Sequence, residues 1–113
     1  MAADQAMRDM ILKSVPQQRP FRFIDEILEL DENHIVGAYH FHTDEYFYKG
    51  HFPDRPVTPG VLLIETMAQT GVVALGIYLT LQGGGKTIQE TKEMITIFNL
   101  AENVELNVMV SPG

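Results

Sequence analysis

The pairing with the clearest chemical potential in this 113-residue sequence is one histidine, His51, followed along the chain by one glutamate, Glu65. His51 lies in a loop with three prolines, each of which fixes its own φ angle: Pro53, Pro56 and Pro59. A loop stiffened in this way loses little conformational entropy on ordering, so it can hold an imidazole in one place. The pattern predicts acid–base chemistry, with His51 as one of its two groups.

Glu65 is the only charged side chain between Val61 and Gly85, in a segment otherwise dominated by apolar residues. Apolar surroundings disfavour a carboxylate anion, which makes Glu65 a candidate proton donor. The alternative is a structural carboxyl that sits at the wet rim of the helix or satisfies a backbone donor. Gln69 follows Glu65 by one helical turn, at a spacing that allows a hydrogen bond between the two side chains.

The loop leads directly into a long helix, predicted over residues 59–82. We expect Thr58 to be its N-cap and Pro59 its first helical residue. This arrangement leaves the backbone N–H groups of Gly60 and Val61 without intrahelical partners. Free donors at the positive end of a helix dipole suit a developing oxyanion, so both residues are predicted to bind substrate.

The same helix is long enough to cross a bilayer, since about 24 residues extend roughly 36 Å. Glu65, Gln69, several threonines and internal glycines disfavour a membrane span, and no Lys or Arg flanks either end directly. A helix that is apolar on nearly every face is otherwise a buried one. The sequence predicts a core helix and no membrane partner.

The remaining elements form a single domain over residues 1–113. An N-terminal helical segment is predicted within residues 1–18. Four strands are predicted from apolar alternation and turn residues, at 21–30, 34–43, 94–98 and 104–110. The order of a strand pair, a long helix and a second strand pair predicts an α+β domain with a mostly antiparallel sheet around one helix.

Composition and charge limit the partners and the cellular location that we expect for this protein. A formal net charge of −7 argues against a nucleic-acid partner. The absence of cysteine and of a signal-peptide pattern fits a cytoplasmic protein. His40 and His42 are two residues apart on a predicted strand, as metal ligands can be, but no third ligand stands out. They are predicted to be strand residues at a partly wet surface, and we expect no metal site.

Three motifs resemble the signature of the FabZ-like β-hydroxyacyl-(acyl carrier protein) dehydratases of the hotdog-fold superfamily. They are Gly-His-Phe-Pro at 50–53, Pro-Val-Thr-Pro-Gly-Val-Leu at 56–62 and Glu-Thr-Met-Ala-Gln at 65–69. The resemblance implies a hotdog fold, in which a curved sheet wraps the long helix. It also implies a dimer, or a higher homo-oligomer, in which each active site takes its histidine from one subunit and its acid from the other.

The resemblance also implies residue roles. His51 matches the catalytic histidine, Glu65 the catalytic acid, Gly60 the glycine whose N–H polarises the thioester carbonyl, and Gln69 the amide that supports the acid. The implied reaction is dehydration of 3-hydroxyacyl-(acyl carrier protein) thioesters to trans-2-enoyl thioesters in fatty acid or related lipid or polyketide synthesis. It needs no metal or redox cofactor, and its partner is the acyl carrier protein with its 3-hydroxyacyl-pantetheine.

Several alternatives remain open from the sequence. The chain is alternatively a hotdog acyl thioesterase, or a non-catalytic hotdog subunit that partners a dehydratase. Family members continue with further strands past the Val-Ser-Pro-Gly turn at 110–113, so we expect either a C-terminally truncated domain or a fold completed by a partner. Lys49 and Arg55 flank the His51 loop and either meet a phosphate or acidic carrier protein, or are ordinary surface charges.

Overall fold

The structure is a computed structural model that describes residues 2–83 and 104–113. Its elements begin with helix α1 (Gln5–Ser14), strands β1 (Glu26–Leu30) and β2 (Ile35–Ala38), and a 3₁₀ helix (Tyr46–Lys49). A central helix follows over Gly60–Gln82, composed of α2 (Gly60–Ala68), a π-helical segment (Gln69–Ala74) and α3 (Leu75–Gln82). The predicted α+β arrangement of a long helix with an antiparallel sheet is confirmed. The strand predicted at 94–98 lies outside the described residues.

Helix α1 is capped and tied to the hairpin by polar groups at its start. The Asp4 carboxylate accepts a hydrogen bond of 2.9 Å from the Met7 N–H, as an N-cap does. The Arg8 guanidinium donates to the backbone oxygens of Ala3, at 2.7 Å, and Ile27, at 3.1 Å. These bonds fix α1 against β1.

Strands β1 and β2 form an antiparallel hairpin with a bulge between Ile27 and Glu29. Both strands are shorter than the predicted 21–30 and 34–43. The missing part of the first strand uses its backbone elsewhere, because the Phe21 C=O and Phe23 N–H are bonded to a side chain of the central helix. Beyond β2, the His40 N–H is likewise bonded to a side chain, the Asp25 carboxylate.

The hairpin, α1 and the second half of the central helix enclose the main core. Its buried apolar residues lie in or next to these elements: Ala3, Ile11, Val15, Ile24, Ile27, Leu30, Val73, Ala74, Ile77 and Tyr78. A second, aromatic core is formed by Phe23, Phe41 and Tyr48, with Tyr39, Phe47, Leu62, Leu63 and Val110 packed against it. The aromatic core supports the end of the molecule where His51 and the start of α2 lie.

The prediction of a strand at 104–110 is wrong for the structure, in which this segment has no regular secondary structure. One recorded backbone bond joins it to the rest of the fold, from the Thr58 N–H to the Val110 C=O at 2.8 Å, and a second, from the Gly113 N–H to the Phe41 C=O at 2.8 Å, lies beyond its end. A strand needs a repeated ladder with one neighbour, and two isolated bonds do not supply it. The apolar alternation of the segment is therefore left largely exposed, as at Val108.

The central helix begins one residue later than predicted and is not buried on every face. Pro59 occupies the N-cap position and Gly60 is the first helical residue. Within the described residues, Val61, Met67 and Val72 are exposed apolar side chains of this helix. Gly60–Gln82 has the length and composition of a membrane span, a test that the core helices of globular proteins also pass.

The sheet approaches the central helix closely at Gly37 of β2. A Cβ atom added to Gly37 would lie 3.0 Å from both the Cγ2 and Oγ1 atoms of Thr70. This separation is shorter than ordinary van der Waals contact, so a side chain at Gly37 requires the Thr70 side chain or the sheet to shift by a few tenths of an ångström. Glycine is required here for packing and not for a special backbone angle.

We therefore expect Gly37→Ala to lower the free energy of unfolding by about 1–3 kcal/mol, the cost of overpacking a core. In a Thr70→Ala background both clashing atoms are absent, and Gly37→Ala should instead stabilise the protein by about 0.4–1 kcal/mol through the unfolded chain. Urea denaturation of the four proteins measures both effects. The same sign of effect in both backgrounds would show that Gly37 does not set the distance between sheet and helix.

Candidate active site

The loop that carries His51 is closed by its own backbone. The N–H of Phe52 donates to the Arg55 C=O at 3.1 Å, and the Arg55 N–H donates back to the Phe52 C=O at 3.0 Å. The Val57 N–H then donates to the His51 C=O at 3.0 Å. These three bonds, together with the proline restraints, hold both ends of the loop at fixed distances.

The His51 ring is oriented by a hydrogen bond of 2.9 Å between its Nδ1 atom and the backbone oxygen of Val57. A carbonyl oxygen only accepts, so Nδ1 carries the proton in this arrangement. In the neutral ring the lone pair is then on Nε2, the nitrogen that is free to accept a proton. The Phe52 ring stacks on the imidazole with centroids 4.1 Å apart and restricts its rotation.

The start of α2 presents backbone donors. Pro59 C=O accepts the first helical hydrogen bonds, from the N–H groups of Leu62 at 2.9 Å and Leu63 at 3.2 Å. In the described part of the chain no acceptor is recorded for the N–H groups of Gly60 and Val61. These are the orphan donors expected of a helix N-terminus, where the dipole favours negative charge.

His51 and Gly60 line one cleft of about 270 Å³. The other lining residues are Val57, Thr58, Leu63 and the C-terminal segment from Leu106 to Val110. Leu106 packs directly against Gly60, since a Cβ atom at that glycine would collide with the Leu106 side chain. The cleft therefore combines an acceptor nitrogen, a backbone donor at a helix end and apolar walls, which suits a substrate with a carbonyl group and an alkyl portion.

Glu65 and Gln69 form a second cluster on the same helix. The Gln69 Nε2 atom donates to the Glu65 carboxylate at 2.9 Å and to the Phe21 C=O at 2.8 Å, and its Oε1 atom accepts from the Phe23 N–H at 2.7 Å. Gln69 is fully buried, and these three hydrogen bonds use both the nitrogen and the oxygen of its amide. The arrangement fixes one oxygen of the Glu65 carboxylate.

The structure thus separates the five residues singled out from the sequence. His51 and Gly60 share the cleft, whereas Glu65 and Gln69 are absent from its lining. Glu65 is two residues after Leu63, which lines the cleft, and a two-residue step on a helix turns a side chain by about 200° to the far side. Val61 is 72% exposed and lines neither the cleft nor the Gln69 cluster.

Sequence reasoning missed Tyr48 and gave Thr58 the wrong role. The predicted N-cap bond from Thr58 is not made, because its hydroxyl is paired with the hydroxyl of Tyr48 in the aromatic core. Burial raises the pKa of the Tyr48 phenol, so this group is neutral at physiological pH. A polar residue before a proline resembles a cap in the sequence, and only the fold reveals the competing partner.

The remaining polar candidates lie at the surface. The rings of His40 and His42 are exposed with centroids 4.7 Å apart, and within residues 2–83 and 104–113 no group of three His, Cys, Asp or Glu side chains is arranged to hold a metal. Lys49 and Arg55 are exposed on either side of His51. Their positions allow them to meet a charged molecule that approaches the loop.

Comparison with known proteins gives a consistent result. A model of the FabA-like domain family matches residues 15–113. The protein called 3-hydroxyacyl-[acyl-carrier-protein] dehydratase FabZ from Helicobacter pylori is 38% identical over 104 residues, which cover 91% of this chain and 63% of that protein. The dehydratase of the same name from Clostridium botulinum (strain Hall) is 48% identical over 66 residues, 58% of this chain and 46% of the relative. The chain therefore spans less than two thirds of the length of either relative.

The Gln69 cluster generates a stability prediction. Gln69→Leu keeps the approximate size of the side chain but leaves the Phe23 N–H and the Phe21 C=O without partners, so the free energy of unfolding should fall by about 2–4 kcal/mol. Gln5→Leu is the matched control, because it removes an exposed amide of α1 whose two side-chain hydrogen bonds both lie at the surface. Chemical denaturation should give a change within about 0.5 kcal/mol for the control. Equal effects of the two substitutions would refute a special structural role for Gln69.

Proposed function

This chain belongs to the FabA-like family, and from that premise we propose that it catalyses the dehydration of 3-hydroxyacyl thioesters carried by acyl carrier protein. The α+β hotdog fold of the family is the scaffold. Both named relatives are dehydratases, which favours elimination of water over hydrolysis of the thioester. The proposal includes the pathway class that the family resemblance implies, the synthesis of fatty acids, and a cytoplasmic location.

One observation carries the proposal more than any other. The His51 ring has its proton held on Nδ1 by the Val57 oxygen, and it shares a cleft with the Gly60 N–H at the start of α2. Removal of a proton next to a thioester carbonyl requires both features, a neutral base and a donor for the carbonyl oxygen. The cleft supplies them on one rigid loop and one helix end.

The proposed reaction balances without a cofactor. Nε2 of His51 takes a proton from C2 of the substrate, and the electron pair of that C–H bond forms the C2–C3 double bond. The Gly60 N–H stabilises negative charge on the thioester oxygen during this step. The C3–O bond breaks, and a proton from Glu65 converts the departing hydroxyl into water. The thioester itself stays intact.

Glu65 is proposed to act on the cleft of a partner subunit. Within one chain its side chain belongs to the Gln69 cluster and is absent from the lining of the His51 cleft. The exposed apolar residues Val61, Met67 and Val72 along the same helix support association with a second copy. We propose a homodimer, or a larger homo-oligomer, in which each site combines His51 of one subunit with Glu65 of the other.

The proposed partner is an acyl carrier protein that delivers the substrate on a pantetheine arm. Lys49 and Arg55 are the exposed cations nearest in sequence to His51, and they offer a phosphate group a favourable approach. On a chain with a formal net charge of −7, such a local pair of cations is the natural place for an anionic group to bind. The proposal includes no nucleic acid, membrane or metal ion.

The role of His51 is tested by His51→Ala. Loss of the base should lower dehydration of a 3-hydroxyacyl thioester by at least about 10²-fold, with the fold retained. The enoyl product is measured by mass spectrometry, and circular dichroism checks the fold. His42→Ala, which removes an exposed histidine elsewhere on the surface, is the control and should keep wild-type activity. A well-folded His51→Ala protein with unchanged turnover would contradict the assignment.

The shared site is tested by mixing two inactive proteins. Glu65→Gln keeps the size and shape of the side chain but removes the transferable proton of the carboxyl group, so turnover should fall while acyl binding persists. When His51→Ala and Glu65→Gln chains are refolded together, half the dimers are mixed and each mixed dimer has one intact site. The mixture should recover up to about one quarter of the wild-type activity. No recovery from a mixture that sedimentation shows to be dimeric would mean that both groups act within one chain.

A further inference from the structure

Two buried hydroxyl groups face each other beneath the His51 loop. Tyr48 ends up inside the aromatic core at 5% exposure, and Thr58, just before α2, is 3% exposed. Their hydroxyls form the only hydrogen bond between two buried side chains that is recorded in the described part of the chain. A buried hydroxyl without a partner is destabilising, so each group depends on the other.

The pair spans the loop that holds His51. Tyr48 lies on the 3₁₀ helix that precedes the loop, and Thr58 lies at the other end of the loop, after His51. The residue next to Thr58 is Val57, whose backbone oxygen accepts the hydrogen bond from His51 Nδ1. A displacement of Thr58 therefore moves the one acceptor that orients the imidazole.

Thr58 is also anchored in a second direction. Its N–H donates to the Val110 C=O of the C-terminal segment at 2.8 Å, so its backbone and side chain are bonded to different parts of the fold. Gly60, which lines the cleft and is the first residue of α2, comes two residues later. The position of Thr58 thus sets both the His51 ring and the start of α2.

We propose that Tyr48 and Thr58 are positioning residues, whose hydrogen bond holds the Val57 carbonyl so that His51 keeps its proton on Nδ1 and presents Nε2 to the cleft. The importance of this role for turnover rests on the proposed dehydration. Its effect on the imidazole rests only on the hydrogen bonds of the loop. The two can therefore be tested separately.

The test uses Tyr48→Phe, which removes one hydroxyl and keeps the ring. Thr58→Val is the second variant, because it removes the other hydroxyl and keeps the branched shape, and Thr58→Ser is the conservative variant that retains the bond. The matched control is Tyr39→Phe, a tyrosine in the same aromatic core whose hydroxyl is bonded to Glu45, outside the His51 loop. All four are made in the full 113-residue chain.

The first readout is the ¹⁵N spectrum of the histidine rings, with the His51 signals assigned by their loss in His51→Ala. In wild-type protein and in Tyr39→Phe, neutral His51 should be protonated on Nδ1. In Tyr48→Phe and Thr58→Val the population protonated on Nε2 should rise. Thr58→Ser should return the spectrum to the wild-type pattern.

The second readout is the kinetics of dehydration. Tyr48→Phe should lower kcat by about tenfold, since small misplacement of a catalytic group is costly, and should leave KM within about twofold. Tyr39→Phe should leave kcat unchanged even if it lowers the melting temperature as much as Tyr48→Phe does.

The stability of the double variant Tyr48→Phe/Thr58→Val gives a further check. Its loss of unfolding free energy should be smaller than the sum of the losses in the two single variants, because no buried hydroxyl is left unpaired.

The proposal is overturned if Tyr48→Phe and Thr58→Val match Tyr39→Phe in both the His51 ¹⁵N spectrum and kcat. A wild-type protein that does not dehydrate any 3-hydroxyacyl thioester overturns the proposed function instead. In that case the ¹⁵N spectra alone decide whether the pair positions His51. Failure of one variant to fold leaves the other to give the decision.

Discussion

The constraint on which the rest of the structure depends is the burial of one amide, Gln69, in a mostly apolar helix. A polar side chain in such a place is tolerated only when its hydrogen bonds are made. Gln69 makes them with the backbone at Phe21 and Phe23 and with the Glu65 carboxylate. It therefore decides how the segment before β1 lies on the helix, and it holds the carboxyl that the proposed reaction uses.

From that anchor the site follows in two directions. Towards the start of the helix, Gly60 of α2 lines the same cleft as the imidazole that Val57 orients. On the other side, Phe23 packs in the aromatic core with Tyr48, whose hydroxyl is bonded to Thr58 at the end of the His51 loop. A π-helical segment begins at Gln69, which is the kind of irregularity often found beside functional residues. Gln69 and Tyr48 thus pack in the protein interior and also hold the residues proposed for the reaction.

The sequence predicted the features that depend on local chemistry. Prolines and apolar periodicity indicate the loop and the long helix, and they single out His51, Glu65 and Gln69 as candidate site residues. It failed where two parts of the chain compete for one polar group. The strand predicted at 21–30 loses its first half to a distant glutamine side chain, and the expected cap at Thr58 is lost to a tyrosine. The isolated bonds of the C-terminal segment at 104–113 likewise depend on partners that periodicity does not reveal.

The proposed reaction eliminates water at this cleft and leaves the thioester intact, and mass analysis of the acyl carrier protein after reaction tests it most directly. Purified chain is incubated with acyl carrier protein bearing a 3-hydroxyacyl group, and the intact carrier is weighed before and after. We predict a carrier species lighter by the mass of one water, with the acyl chain still attached. An unchanged carrier would contradict the account, and so would a carrier that has lost its whole acyl group, because that result means hydrolysis.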